Sequence, residues 1–142
     1  MNPALQVEVI DAEPPDLLQL RVTASSRAFS GSTTLFDTPS ALNRLLEGLG
    51  GFPTHPTDTR LIELGTFDLA LAGGGARIGL ACTSSAGHAI LSATVQTCRH
   101  TEPPESVSVA VPVEASAIDQ FVAELAGLRP TPGQKASLLA TG

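Results

Sequence analysis

The 142-residue chain has no tryptophan and no tyrosine, and five phenylalanines are its only large apolar aromatic side chains. A core built from it must therefore rest on Leu, Val, Ile and Ala. No apolar run approaches the ~20 residues a helix needs to span a bilayer. The stretch Met1 to Glu8 has neither the basic nor the apolar segment of a secretory signal. These absences lead to the expectation of a soluble, cytoplasmic protein with no membrane partner.

Positive charge is scarce: eight Lys and Arg face 14 Asp and Glu, for a formal charge of -6. Phosphate binding needs clustered Lys and Arg, so nucleic acid is not an expected partner. An acidic surface keeps a protein in solution and suits a basic protein partner. Cysteine is scarce too. Cys82 continues an apolar strand pattern from Arg77 and reads as a small buried hydrophobe. A bond to Cys98 requires the two strands to pair and is disfavoured in a reducing cytosol.

What the chain does have is a strand that runs into an amphipathic helix, twice. The first copy is Ser32 to Phe36 followed by Ser40 to Leu49; the second is Val107 to Val113 followed by Ser116 to Leu125. Both helices space apolar residues at i, i+3, i+4 and i+7, which collects them on one face. The two units align without gaps, Ser40 on Ser116, Leu42 on Ile118 and Leu49 on Leu125. An internal duplication and simple convergence of two sheet-covering helices both account for that.

Elsewhere the alternation is that of strands. Leu5 to Val9, Leu18 to Ala24, Ala76 to Cys82 and His88 to Thr97 each place apolar residues at every second position, and a third strand runs through Phe29, Gly31, Thr33 and Leu35. Leu61–Leu64 and Phe67–Leu71 read as a strand pair, or as one strand bent at Gly65. Thr38 is placed to cap the first helix with Pro39 at its first position, and Gly48, Gly50 and Gly51 mark its end. The prediction is an α+β fold: a mostly antiparallel sheet of about six to eight strands carrying helices near 39–49 and 115–128. Residues 1–128 form the single domain and residues 129–142 a flexible C-terminal tail.

Reactive groups do not assemble into a recognisable site. Gly73-Gly74-Gly75-Ala76 lacks the lysine and following helix of a phosphate loop and reads as a turn. Cys98 and His100 are a single spaced pair where zinc sites carry two, with His55 a distant third candidate. Ser84 and Ser85 lie near His88 without a nucleophile elbow. Glu63 and Asp68 alternate with apolar neighbours and so face solvent. No catalytic, metal or cofactor site is expected. His88, at the start of the longest strand after the Ser84–Gly87 turn, reads either as a residue that pins the hairpin through its ring or as a partner contact.

Several phrases, Phe29-Ser30-Gly31-Ser32-Thr33, Phe52-Pro53, Glu63-Leu64-Gly65, Cys82 with Gly87-His88, and Val113-Glu114 leading to Phe121-Val122-Ala123-Glu124-Leu125, together resemble small bacterial proteins that include immunity proteins against contact-delivered toxins of the WapI type. The similarity spans about Leu18 to Leu128. Those proteins are richer in Tyr and Trp around the third strand, where this chain has Thr34-Leu35-Phe36. The resemblance implies a β-rich α+β fold and a non-enzymatic role, and transfers no catalytic residue. The expected function is that of a binding protein that occludes a basic partner such as a toxin, with Asp11, Glu13, Asp16, Glu102 and Glu105 as steering charges. A homodimer formed through an exposed sheet edge, and a small metal-dependent enzyme, are the alternatives.

Overall fold

Period-two alternation becomes eight strands and the two apolar stripes become two helices in a computed structural model that describes residues 3–13, 16–71, 73–99 and 101–141. The order is β1 (Leu5–Glu13), β2 (Leu17–Ser25), β3 (Ser30–Asp37), α1 (Ala41–Leu49), β4 (Thr59–Gly65), β5 (Gly75–Cys82), β6 (His88–Gln96), β7 (Ser106–Glu114), α2 (Ala115–Ala126) and β8 (Lys135–Leu138). The fold is α+β. Its strands form two antiparallel sheets, β3-β2-β1-β8 and β4-β5-β6-β7, where the alternation alone suggested one. Each strand buries one face, and two short helices cannot cover a single eight-stranded face. Packing β2 and β3 of one sheet against β6 and β7 of the other supplies the missing cover.

The two sheets are built alike. Leu5↔Ala24, Val7↔Val22 and Val9↔Leu20 in the first are answered by Ala76↔Val95, Ile78↔Ala93 and Leu80↔Leu91 in the second. Likewise Leu18↔Asp37, Leu20↔Leu35 and Val22↔Thr33 are answered by Ala89↔Val113, Leu91↔Val111 and Ala93↔Val109. Leu20 and Leu91 are 71 positions apart, Leu35 and Val111 76, so the hairpin between β6 and β7 carries five extra residues. The same shift carries Leu45 onto Phe121 and Leu49 onto Leu125, all four buried. After each helix the chain crosses to the opposite half: β4 pairs with β5, and β8 pairs with β1. The result is a pseudo-twofold arrangement with exchanged last strands, which favours the duplication reading of the two units.

The hairpin bases match in their hydrogen bonds too. Ser26 N–H donates to the Phe29 carbonyl (2.7 Å) while Phe29 N–H donates to Ser26 Oγ (3.1 Å). In the other half Thr97 N–H donates to the Glu105 carbonyl (2.8 Å) and Glu105 N–H to Thr97 Oγ1 (3.0 Å). One apolar cluster runs through both sheets and both helices, with Phe121 its largest wholly buried side chain.

Three expectations are corrected. The tail from Arg129 is not a loose extension over its described length: Lys135–Leu138 is β8, with Ala136 and Leu138 buried against β1. A four-residue strand is too short to show periodicity in the sequence. Phe67–Leu71 is not a strand. Gly65 has φ +66° and a β-carbon there would collide with the Gly74 carbonyl, so the chain turns, and Asp68 then accepts the Ala70 N–H (2.9 Å). Finally, α1 starts at Ala41, after a turn in which Ala41 N–H donates to the Thr38 carbonyl (3.0 Å). Thr38 Oγ1 bonds Ser40 Oγ (2.6 Å) and caps no helical amide; α2 ends at Ala126, short of the expected 128.

Candidate functional site

Two strands, β3 and β7, end their sheets on the side away from β2 and β6. In an antiparallel strand a residue's N–H and C=O point the same way, and alternate residues point outward. The Pro112 carbonyl of β7 accepts the Thr141 N–H (3.0 Å), which identifies the outward set as Ser108, Ala110 and Pro112. Proline fits there, because an outward N–H is not needed by the sheet. The equivalent set on β3 is Ser32, Thr34 and Phe36.

Each of these edges borders a hollow. That along β7 encloses about 770 Å³ between the strand, the Ser26–Phe29 turn and Ala140–Thr141. That along β3 encloses about 410 Å³ and is walled by Gln19, Gly73 and the base of the other hairpin, Thr97–Arg99. The hollows occupy equivalent places in the two halves but differ in content. The β3 edge is covered by the chain itself: a β-carbon on Gly74 would strike Thr33 Oγ1 and come within 3.0 Å of the Thr34 carbonyl. Cys98 fastens this cover, its buried thiol donating to the Leu71 carbonyl (3.0 Å), while Gly73 N–H donates to the Cys98 carbonyl (3.2 Å).

The acidic residues singled out in the sequence fall into two groups, Asp11, Glu13 and Asp16 at the β1–β2 hairpin, and Glu102 and Glu105 at the β6–β7 hairpin. All are exposed. A bulge between Val9 and Asp11 resets the alternation of β1 and turns Asp11 and Glu13 outward, where an unbroken strand would drive Asp11 into the core. Gln19, the cross-strand partner of Asp11, lines the β3 hollow together with Arg99, while none of the five carboxylates is itself part of its wall. Glu102 lies 3.9 Å from Arg99, an exposed and weak pair.

His88 is exposed and pairs across the ladder with Glu114. Among the described residues its ring makes no hydrogen bond. Its carbonyl does the pinning, accepting Thr83 N–H (2.8 Å) and Thr83 Oγ1 (3.0 Å). His55 is exposed in the loop before β4, with Nδ1 3.2 Å from Thr57 Oγ1. His100 lies outside the described residues. Among the described residues no three His, Cys, Asp or Glu side chains group as metal ligands, and Cys82 and Cys98 are both free thiols.

Two carboxylates that sequence reasoning passed over hold the first half together. Asp58 is buried and its carboxylate accepts from Arg60 Nε (3.1 Å) and Nη2 (2.9 Å), Thr54 N–H (2.9 Å) and Thr54 Oγ1 (3.1 Å). Arg60 Nη1 in turn donates to the Gly48 and Gly50 carbonyls (2.9 and 3.1 Å), ending α1. The hydrogen bonds from Arg60 and then from Thr54 outweigh burial and hold the Asp58 carboxyl well below the usual carboxylate range. At Asp37, burial favours the neutral acid, but hydrogen bonds from Arg44, Gly65 N–H and Thr38 N–H prevail and lower its pKa. Both carboxylates are satisfied by fixed donors and serve as structural clamps. No protein-family model, no curated protein and no solved structure matches this chain.

Proposed function

We propose that this protein is a non-enzymatic binding protein of the immunity type, which recognises and occludes a basic surface on a protein partner. The observation that supports the reading is a set of exposed carboxylates on two hairpins: Asp11 is the ladder partner of Gln19 and Glu102 lies beside Arg99, two residues that line the β3 hollow, with Glu13, Asp16 and Glu105 exposed on the same hairpins. None of these five carboxylates is committed to the interior, and the chain's charge of -6 reinforces them. Such a patch accelerates encounter with a positively charged partner and fixes its orientation. The family resemblance supplies the class of partner, a toxin delivered by contact.

The direct experiment is co-expression with the product of the adjacent gene, read as relief of its toxicity and as co-purification. Association measured across a salt series should slow steeply as ionic strength rises, and the Asp11→Asn, Glu13→Gln, Asp16→Asn triple variant should bind with a slower on-rate. No relief of toxicity together with no complex would overturn the reading.

A further inference from the structure

We infer that the free edge of β7 receives an extended polypeptide segment from a protein partner, which adds to the sheet as a further strand and sets an acidic side chain against Arg27. This site is separate from the β3 hollow and from the acidic hairpins and does not rest on the function proposed for them.

The backbone supplies the first argument. Ser108 and Ala110 turn their N–H and C=O groups outward into the 770 Å³ hollow, and the Thr141 N–H on the Pro112 carbonyl already makes the first bond that an added strand would make. The second argument is the equivalent edge in the other half. There the chain's own Gly73–Gly74 segment lies on Thr34, and it takes glycine for the backbones to come so close. A polypeptide segment is thus what this architecture seats on such an edge; among the described residues none occupies that place along β7.

Side chains supply the third. Phe29 is 66% exposed, held out by the paired hydrogen bonds of its turn with Ser26, and offers an aromatic anchor beside the edge. Its counterpart in the other half is Glu105, so the two hollows differ in what they recognise. Arg27, also exposed, makes no ion pair among the described residues, in a chain whose net charge is -6. A free guanidinium beside free backbone donors favours a strand that carries Asp or Glu. A second copy of this chain is the poorer occupant, because its β7 brings along the same two flanking walls.

The test is a selection of random nine-residue peptides on the whole protein, followed by titration of the consensus peptide. The expected consensus is alternating and β-branched, with at least one acidic position. Arg27→Glu and Ala110→Pro should each weaken it about tenfold or more, the second by removing one outward N–H. Pro112 shows that this edge accepts proline without loss of the β6 ladder. N-methylation of alternate peptide residues should abolish binding on the strand-pairing register only, and this control leaves the protein unaltered. Three results would overturn the proposal: no enriched peptide, binding indifferent to Ala110→Pro and to N-methylation, or occupation of the edge by a second copy, seen as a dimer lost in Ala110→Pro.

Discussion

Gly31 and Val107 meet where the two sheets cross, so closely that a β-carbon on Gly31 would lie 2.9 Å from Val107 Cγ1. They are also counterparts, Gly31 pairing with Ala24 and Val107 with Val95 at the same rung of the two ladders. A pseudo-twofold that brings equivalent positions face to face leaves no room for valine at both. One half had to give way, and that is one reason why the repeat is faint in the sequence. Gly31→Ala should destabilise by about 1–3 kcal/mol through overpacking. Adding Val107→Ala should restore much of the loss, and chemical denaturation of the double-mutant cycle measures the coupling. Additive effects would mean that the two residues do not share this space.

The clamps at Asp37 and Asp58 make stability depend on acidity. Both carboxyls titrate below their ordinary 3.8 when folded, so the unfolded chain takes up protons first as the pH falls. Their contribution is present above 3.8 and disappears as the pH falls through the lower, folded values. Melting temperatures should therefore be level in this respect down to about pH 5 and drop below about pH 4. Asp58→Asn should lower the melting temperature at neutral pH and flatten that acid limb. A limb of unchanged steepness in the variant would show that Asp58 does not drive it.

The last strand is as much a part of the core as the first. Leu138 and Ala136 are 1% and 0% exposed against β1, opposite Leu5 and Val7. Leu138→Asp should cost several kcal/mol by burying an unpaired charge, comparable with Phe121→Asp in α2, which should cost as much. Deleting residues 135–142 should leave β1 an unpaired edge and abolish the cooperative transition. A truncated chain that melts like the full one would remove β8 from the fold.

Cys98 holds the cover of the β3 edge by its thiol, shared between the Leu71 and Leu69 carbonyls (3.0 and 3.6 Å), and by a backbone bond to Gly73. Cys98→Ala should cost about 1 kcal/mol and speed amide exchange at residues 66–71, 73 and 74 with little change elsewhere in the described residues. Bound metal offers the competing account of this cysteine. It predicts stoichiometric zinc in protein purified without an affinity tag, lost in Cys98→Ser, and a melting temperature lowered by chelator.

How much of this was legible follows the length of each pattern. Strands β2 and β6 alternate over nine residues, and the helical stripes through Leu45 and Phe121 are long enough to repeat, so class and element types could be read. The division into two sheets could not, because alternation tells which face is buried and not what buries it. The register-by-register repeat was hidden by five extra residues in one hairpin and by a bulge in β1. Phe67–Leu71 carried strand-forming residues, but a positive φ at Gly65 and the crowding at Gly74 decided its shape. The Asp58–Arg60 clamp left only an Asp-x-Arg trace beside a Pro-rich loop. The acidic groups were visible as residues, and the placing of Gln19 and Arg99 in one hollow depended on the packing of sheets.

The turn before β6 separates the backbone of His88 from its ring. Thr83 binds the His88 carbonyl through both its N–H and its Oγ1, Gly87 adopts φ +88°, and the imidazole stands exposed. An alanine keeps the carbonyl, so His88→Ala should change stability by no more than about 0.5 kcal/mol, as for other surface positions. Thr83→Val, which forfeits the hydroxyl bond, should cost about 1 kcal/mol. Gly87→Ala should cost about 1–2 kcal/mol, since a side chain there must adopt a left-handed backbone and meets Ala115 Cβ at 3.3 Å. Urea denaturation of the three variants ranks them. If His88→Ala is as damaging as Thr83→Val, the ring supports the turn after all; if it is silent in stability yet impairs partner binding, the imidazole belongs to the interface.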